Sequence, residues 1–444
     1  METQIKRSES KMSQSQANFK MNCRICDSKN VELFLDLTDQ PHCNRLVPPS
    51  KLAGQDPRFP LRVGFCHDCS LVQIDHTIPK EDMFSDYPYV SGTTKTLVEH
   101  FKKTAERLAN SYQLTSKDLV VDIGSNDGSW LKGYQPLGIR VLGVEPASNV
   151  VEIARKNGVP TEHRFFNLET AAHVLAKEGP ASLITASGVF FHLEELHSVT
   201  KGIKHLLGPK GVFAVQAIYL GGMVQNNAFD QVYHEHLCYY TFKSLKALLN
   251  RHGLECFHVH LEDIHGGSLE VHAGHPGAHP IDATVAAFEA QERAQGLEKF
   301  STYQKFAENV WKLKRELLTV LSGFKAAGKT VYSYAAPAKG ATLLNSFGIG
   351  TDLVQKAVER NPLKFGFAIP GCRIPILDEA KTERPSAYLL LAWNFLPEIL
   401  RKEKDFLEQG GVFIVPGEEV RQISRETLRV EKFETTQNRP TTSL

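Results

Sequence analysis

The sequence predicts an α/β protein. Its centre is an open, mostly parallel sheet with helices on both faces, preceded by a small cysteine-rich module and followed by a second, smaller Rossmann-like α/β domain. Three observations predict this. Strand-like and helix-like segments alternate from about residue 80 onward, the pattern of a parallel sheet. Two C-x-x-C pairs fall before position 70, in a stretch short of helical periodicity. After a helical stretch the alternation starts again near 328. A chain of 444 residues also exceeds what one core supports, so several domains are expected.

Composition narrows the function classes. Hydrophobic residues make up 42% and charged residues 23%, as in soluble globular chains. Lys+Arg at 51 against Asp+Glu at 50 leaves almost no net charge, which argues against nucleic acid or an anionic membrane as the main partner. No apolar run reaches the roughly 18 residues of a membrane span. The opening "METQIKRSESKMSQSQANFK" lacks the apolar stretch of a secretory signal. A cytoplasmic monomer is expected, with disordered tails at 1–19 and 436–444.

The first module, 20–75, holds Cys23 and Cys26 in "CRIC" and Cys66 and Cys69 in "CHDC". Each tight turn aims two thiolates at one point, so two such pairs suit a single tetrahedral Zn2+. Four thiolates close the shell, so the metal is expected to be structural. Cys43, His42 and His67 are the weaker alternatives as ligands. Five of the eight cysteines lie before 70, which suits a metal site in a reducing compartment better than a disulfide framework.

The second part, 76–280, opens with the helix "TLVEHFKKTAERLANSY", whose Leu97, Phe101, Ala105 and Leu108 share a face. "DLVVDIG", "RVLGVEP", "SLITAS" and "GVFAVQAIYL" read as strands, and "LECFHVHLEDIHGGSLEVHAG" as an antiparallel pair at the sheet end. "VVDIGSNDGSWL" runs from a strand into a glycine turn, Asp122, Gly124, Asn126 and Gly128, and then into a helical pattern. The next strand ends at Glu145. That order seats a nucleoside cofactor at the carboxyl ends of the strands. The dinucleotide fingerprint G-x-G-x-x-G is absent, and an acid just before the turn suits an ammonium better than a pyrophosphate. These are the demands of S-adenosyl-L-methionine, with Asp122 near its ammonium, Glu145 on its ribose and a helix amino terminus for its carboxylate. A dinucleotide-dependent oxidoreductase and a non-catalytic zinc-bearing protein are the competing readings.

"FDQVYHEHLCYYTF" sets Tyr233, His234, Glu235 and His236 in a row. A metal site is a poor fit, since no further ligand motif completes it. Thr241 can cap the following helix, but a cap does not need four such groups. The cluster follows a strand whose carboxyl end shares the side of the cofactor turn, so a base here can deprotonate a substrate beside a methyl donor. A helical connector at 281–327 and a second, smaller α/β domain at 328–435 follow.

The C-x-x-C pairs, "DYPYVSG", "DIGSNDGSWL", "FFHLEELH", "FDQVYHEH", "IHGGSLEV", "PAKGATLLN" and "NPLKFGFAIPGCRIPI" together resemble the sugar C-methyltransferase family over nearly the whole chain. The resemblance implies a zinc domain, a class I methyltransferase (Rossmann-like) domain and a C-terminal domain that helps bind a nucleotide-linked 4-keto-deoxysugar. It implies His236 as the base, Tyr233 and Glu235 lining the sugar site, and His192 and Tyr87 at further active-site positions. His265 either lines the site or only closes a hairpin. Lys339 and Arg373 either meet the sugar nucleotide or are ordinary solvated cations.

Overall fold

The structure, a computed structural model, describes residues 19, 21–85, 87, 89–264 and 266–427. His265 and the expected tails, Phe19 apart, lie outside the described residues. The chain divides into two units, each discontinuous in sequence. The first comprises 1–36, 62–222 and 234–303, and the second 37–61, 223–233 and 304–444.

Near the amino terminus, β1 (Val31–Pro41), β2 (Arg58–Cys66) and β3 (Val72–Ile74) are followed by α1 (Lys95–Ser111). The first unit then runs through β4 (Leu119–Ile123), β5 (Arg140–Glu145), β6 (Thr161–His163), β7 (Ala181–Ser187), β8 (Leu207–Ile218), β9 (Cys238–Tyr239), α2 (Phe242–Arg251), β10 (Glu255–Glu262) and β11 (Ser268–Gly274). Its large sheet has the order β10-β11-β8-β7-β4-β5-β6. The strands from β4 to β8 run parallel, and β11 and β10 return antiparallel, as the hairpin reading expects. β4 is buried at every position, which is why it reads as an unbroken apolar run around Asp122. The strand order reverses between β4 and β7, and a ligand crevice belongs at the carboxyl ends there.

The stripe Leu97, Phe101, Ala105 and Leu108 of α1 is buried, and Phe101 stacks on Trp130 with ring centres 5.2 Å apart. Each such large side chain taken from water contributes about 1.5–3 kcal/mol. Thr241 caps α2 in a reciprocal box with Ser244.

One expectation fails. The segment after the glycine turn forms two single 3-10 turns, Leu131–Gly133 and Gln135–Leu137, not a helix. Gly133 and Pro136 lower helix propensity, Gly138 adopts φ +73°, and so the stretch cannot extend. The helix amino terminus expected to hold the cofactor's carboxylate is therefore missing.

Helices α3 (Ala283–Ala294) and α4 (Phe300–Ala326) fill the expected connector. The second unit contains β12 (Val331–Tyr334), α5 (Ala338–Phe347), β13 (Lys356–Glu359), β14 (Ile376–Asp378), β15 (Ala387–Leu390), β16 (Val412–Val415) and β17 (Arg421–Ile423). Its sheet is ordered β14-β13-β12-β15-β16-β17, parallel except for β17. Among the described residues, no helix is long and apolar enough to cross a membrane.

Candidate active site and metal centre

The two cysteine turns are built alike. Asp27 N–H donates to the Cys23 carbonyl at 3.0 Å, and Ser70 N–H to the Cys66 carbonyl at 2.8 Å. Asp27 and Ser70, each four residues past the first cysteine, both take positive φ, at 60° and 62°. The turns bring Cys23 Sγ within 3.4 Å of Cys69 Sγ and Cys26 Sγ within 3.5 Å of Cys66 Sγ. All four sulfurs lie within 4.8 Å of one another and none is in a disulfide. Zinc–sulfur bonds of about 2.3 Å demand four converging thiolates of this kind, so the residues fit the ion. Hydrogen bonds from Cys23 and Cys69 pull the Cys66 thiol down, favouring a thiolate there. Among the alternatives, His67 is turned to Glu32 at 2.9 Å, while His42 and Cys43 belong to the second unit.

The predicted cofactor residues gather at the carboxyl ends of β4 and β5. Asp122 is buried and accepts a bond from Thr185 Oγ at 2.7 Å, and burial pushes its carboxyl up to about 7. Glu145 accepts Asn126 N–H and Ala147 N–H, both at 2.9 Å, and burial raises it too. Gly124 and Gly128 have φ +66° and +79°. An added Cβ would meet Val189 at 2.6 Å or Val159 at 2.8 Å, so both glycines are required by the turn and its packing. Two buried acids on adjacent strand ends beside a tight turn fit a cationic nucleoside.

The Asn126 side chain ties the turn to the preceding segment. It accepts Ser91 N–H and donates to the Tyr89 carbonyl, each at 3.0 Å, while Asp127 accepts Gly92 N–H at 2.9 Å. Asp127, Ser91 and Gly92 carried no sequence signal as a clamp.

Four of the five predicted catalytic residues meet within the first unit. The Tyr87 hydroxyl reaches Glu235 Oε2 at 3.4 Å. His192 Nδ1 lies 2.6 Å from the Glu235 carbonyl oxygen, and the His192 ring centre is 5.0 Å from that of His236. His236 is only 3% exposed and packs edge-on to Phe191 at 4.5 Å. Burial lowers His192, so its imidazole is neutral at physiological pH. Tyr233 falls in the second unit.

In the second unit, Lys339 at the start of α5 donates to Asn394 Oδ1 at 2.6 Å and lies 4.0 Å over the Trp393 ring. The Trp393 indole N–H donates to buried Asp230 at 2.7 Å. Phe229, Asp230, Leu343, Trp393 and Arg421 help to line a cavity of about 290 Å³. Arg373 is engaged by its own unit, with Nη1 on Asp56 at 2.5 Å and Nη2 on the Gly54 carbonyl at 2.7 Å.

Three family models match the chain in order. "Putative zinc binding domain" covers 23–84, "Methyltransferase domain" 98–259 and "C-methyltransferase C-terminal domain" 263–417. The C-methyltransferase NovU of Streptomyces niveus is 37% identical over 408 residues, 91% of this chain and 97% of its own. Among solved structures, the CcbJ methyltransferase from Streptomyces caelestis aligns with TM-score 0.31 and 17% identity over 39% of this chain and 94% of its own. A SAM dependent methyltransferase from Archaeoglobus fulgidus aligns with TM-score 0.31 and 15% identity over 37% and 72%. At those scores the structural likenesses add nothing to the sequence match.

Proposed function

The chain belongs to the C-methyltransferase family of S-adenosylmethionine-dependent enzymes, with a zinc-binding amino-terminal domain, and on that premise we propose that it methylates a nucleotide-linked 4-keto-deoxysugar at the carbon beside the ketone, with His236 as the base. The convergence of Tyr87, His192, Glu235 and His236 carries this reading. A ketone acidifies the neighbouring C–H because the carbanion is delocalised as an enolate, so a buried imidazole can take that proton. Tyr87 is the nearby phenol suited to donate to the developing oxyanion, with Tyr233 a second candidate. S-adenosylmethionine, when bound, supplies an electrophilic methyl group. Asp122 and Glu145 are the groups to hold its ammonium and ribose.

His265, Lys339 and Arg373 remain the proposed contacts to the sugar nucleotide. Both cations already hold partners within their unit, Arg373 on Asp56 and the Gly54 carbonyl and Lys339 on Asn394 and the Trp393 ring. The reading includes a monomer working in the cytoplasm. Family membership sets aside the dinucleotide oxidoreductase and the non-catalytic protein. A different substrate with an acidic C–H is the alternative that shares the same chemistry.

The test is deuterium uptake from heavy water into a panel of nucleotide-linked 4-keto-deoxysugars, followed by S-adenosylmethionine and mass spectrometry for methyl gain. Exchange and methyl gain, both lost in His236→Asn, are expected. Methyl gain on none of the panel would move the substrate to another acidic C–H compound.

A further inference from the structure

The sheet face that carries Asp122 also carries a buried polar chain with no role in the proposed proton abstraction. Glu270 of β11 sits directly opposite Gln216 of β8 and is 0% exposed. Its carboxylate accepts Arg107 Nη2 at 2.8 Å, His272 Nε2 at 2.7 Å and Gln216 Nε2 at 2.6 Å. Burial alone would raise this carboxyl, but the His272 bond and the Arg107 charge hold it well below the usual range. His272 Nε2 faces a carboxylate, which only accepts, so it carries the hydrogen, and in the neutral ring Nδ1 then accepts the Tyr112 hydroxyl at 2.5 Å.

A carboxylate only accepts, so it decides which way the Gln216 amide points. Nε2 must face Glu270, and Oε1 therefore faces the carboxyl ends of the strands. There it accepts the Ser187 hydroxyl at 2.9 Å and His100 Nε2–H at 3.3 Å. The backbone carbonyl of Gln216 separately accepts Gly188 N–H at 3.0 Å. With its hydrogen on Gln216, Ser187 is left with oxygen lone pairs. With its Nε2–H on Gln216, His100 has Nδ1 as the one ring nitrogen left that can accept. Ser187 lies two residues beyond Thr185 on β7, hence on the same face as the hydroxyl that holds Asp122.

We infer that Glu270 is a positioning residue for methyl transfer: through Gln216 it makes Ser187 and His100 present acceptors, not donors, to the ammonium-bearing end of the cofactor. The inference rests on the preceding reading only in seating that end beside Asp122. Reversing the amide would turn Gln216 N–H groups toward Ser187 and His100 and force both to reverse. Two donors would then confront a cation.

The test uses Glu270→Gln in the full chain, read by calorimetric titration of S-adenosylmethionine and by 15N NMR of the His100 tautomer. Neither readout needs a sugar substrate. The single change is expected to weaken binding at least tenfold and to move the His100 hydrogen from Nε2 to Nδ1. Adding Gln216→Glu shifts the charge by one strand and restores an acceptor toward Ser187. The double variant should regain affinity to within threefold of the parent. Unchanged affinity in Glu270→Gln overturns the inference. So does a double variant that recovers its melting temperature but not its binding. Should Glu270→Gln not fold, Gln216→Leu removes the acceptor while Arg107 and His272 stay on Glu270. An unchanged tautomer and affinity there would equally refute it.

Discussion

His192 Nδ1 points at the Glu235 carbonyl oxygen from 2.6 Å, so the hydrogen of that neutral ring sits on Nδ1. The bond fixes the backbone between Glu235 and His236 and sets the His192 ring 5.0 Å from the His236 ring. His192→Ala removes the donor and the edge contact together. We expect turnover to fall about 10- to 100-fold, a positioning loss, with S-adenosylmethionine affinity within twofold of the parent. His236→Asn should instead abolish deuterium exchange outright. Single-turnover methylation alongside exchange separates the two; equal exchange in both variants would refute the division of roles.

The zinc domain makes a second prediction. One zinc per chain is expected by elemental analysis, because four thiolates close a tetrahedron. Cys66→Ser should lower both zinc content and melting temperature, since binding energy here is folding energy. Cys43→Ala, in the other unit, should keep a full equivalent of zinc. Loss of zinc in the Cys43 variant would break the ligand assignment.

Much of this was legible in the sequence, and the reasons differ by element. The strands β4, β5, β7 and β8 show as apolar runs because a central parallel strand is covered on both faces. The short β6 was missed, since three residues carry no periodicity. The cysteine turns are local, so spacing alone revealed them. The link between Tyr87 and Glu235 joins residues 148 apart, and only the resemblance, not any pattern along the chain, pointed to it. The Glu270 chain was invisible because it depends on β11 pairing with β8 in one register. His272 anchors that chain, yet nothing along the sequence sets it apart from its strand neighbours His258 and His260.

With Asp122 as the proposed partner of the cofactor's ammonium, stability and S-adenosylmethionine affinity should depend on pH in opposite senses. Burial raises this carboxyl from about 3.9 in an unfolded chain to about 7 in the fold. A raised acid stabilises the fold fully below the lower value, and that contribution is lost as pH rises through the upper one. The loss is on the order of 4 kcal/mol at most. Thermal melts of the cofactor-free protein should therefore fall between pH 5 and 8, and Asp122→Asn should flatten the decline. A cationic ligand favours the ionised carboxylate, so S-adenosylmethionine affinity should rise over the same interval. Calorimetry in buffers of different ionisation enthalpy should show proton release on binding near pH 6, and clearly less in Asp122→Asn, where Glu145 is the raised carboxyl that remains.

Gly128 tests whether the turn's glycines serve the cofactor or the fold. Its φ of +79° costs an alanine roughly 1–2 kcal/mol. An alanine Cβ would also lie 2.8 Å from Val159 Cγ2, and such overpacking costs about 1–3 kcal/mol more. Gly128→Ala should thus lower stability by a few kcal/mol in denaturant titrations. Val159→Ala opens the space that the new methyl group needs. The double variant should then be more stable than the sum of the two single losses, because the clash is gone and only backbone strain remains. If close backbone approach to the cofactor were what the glycine provides, that relief would not return binding. We expect the opposite: S-adenosylmethionine affinity in the double variant within threefold of Val159→Ala. Recovered stability with lost affinity would assign Gly128 to the cofactor instead of the fold.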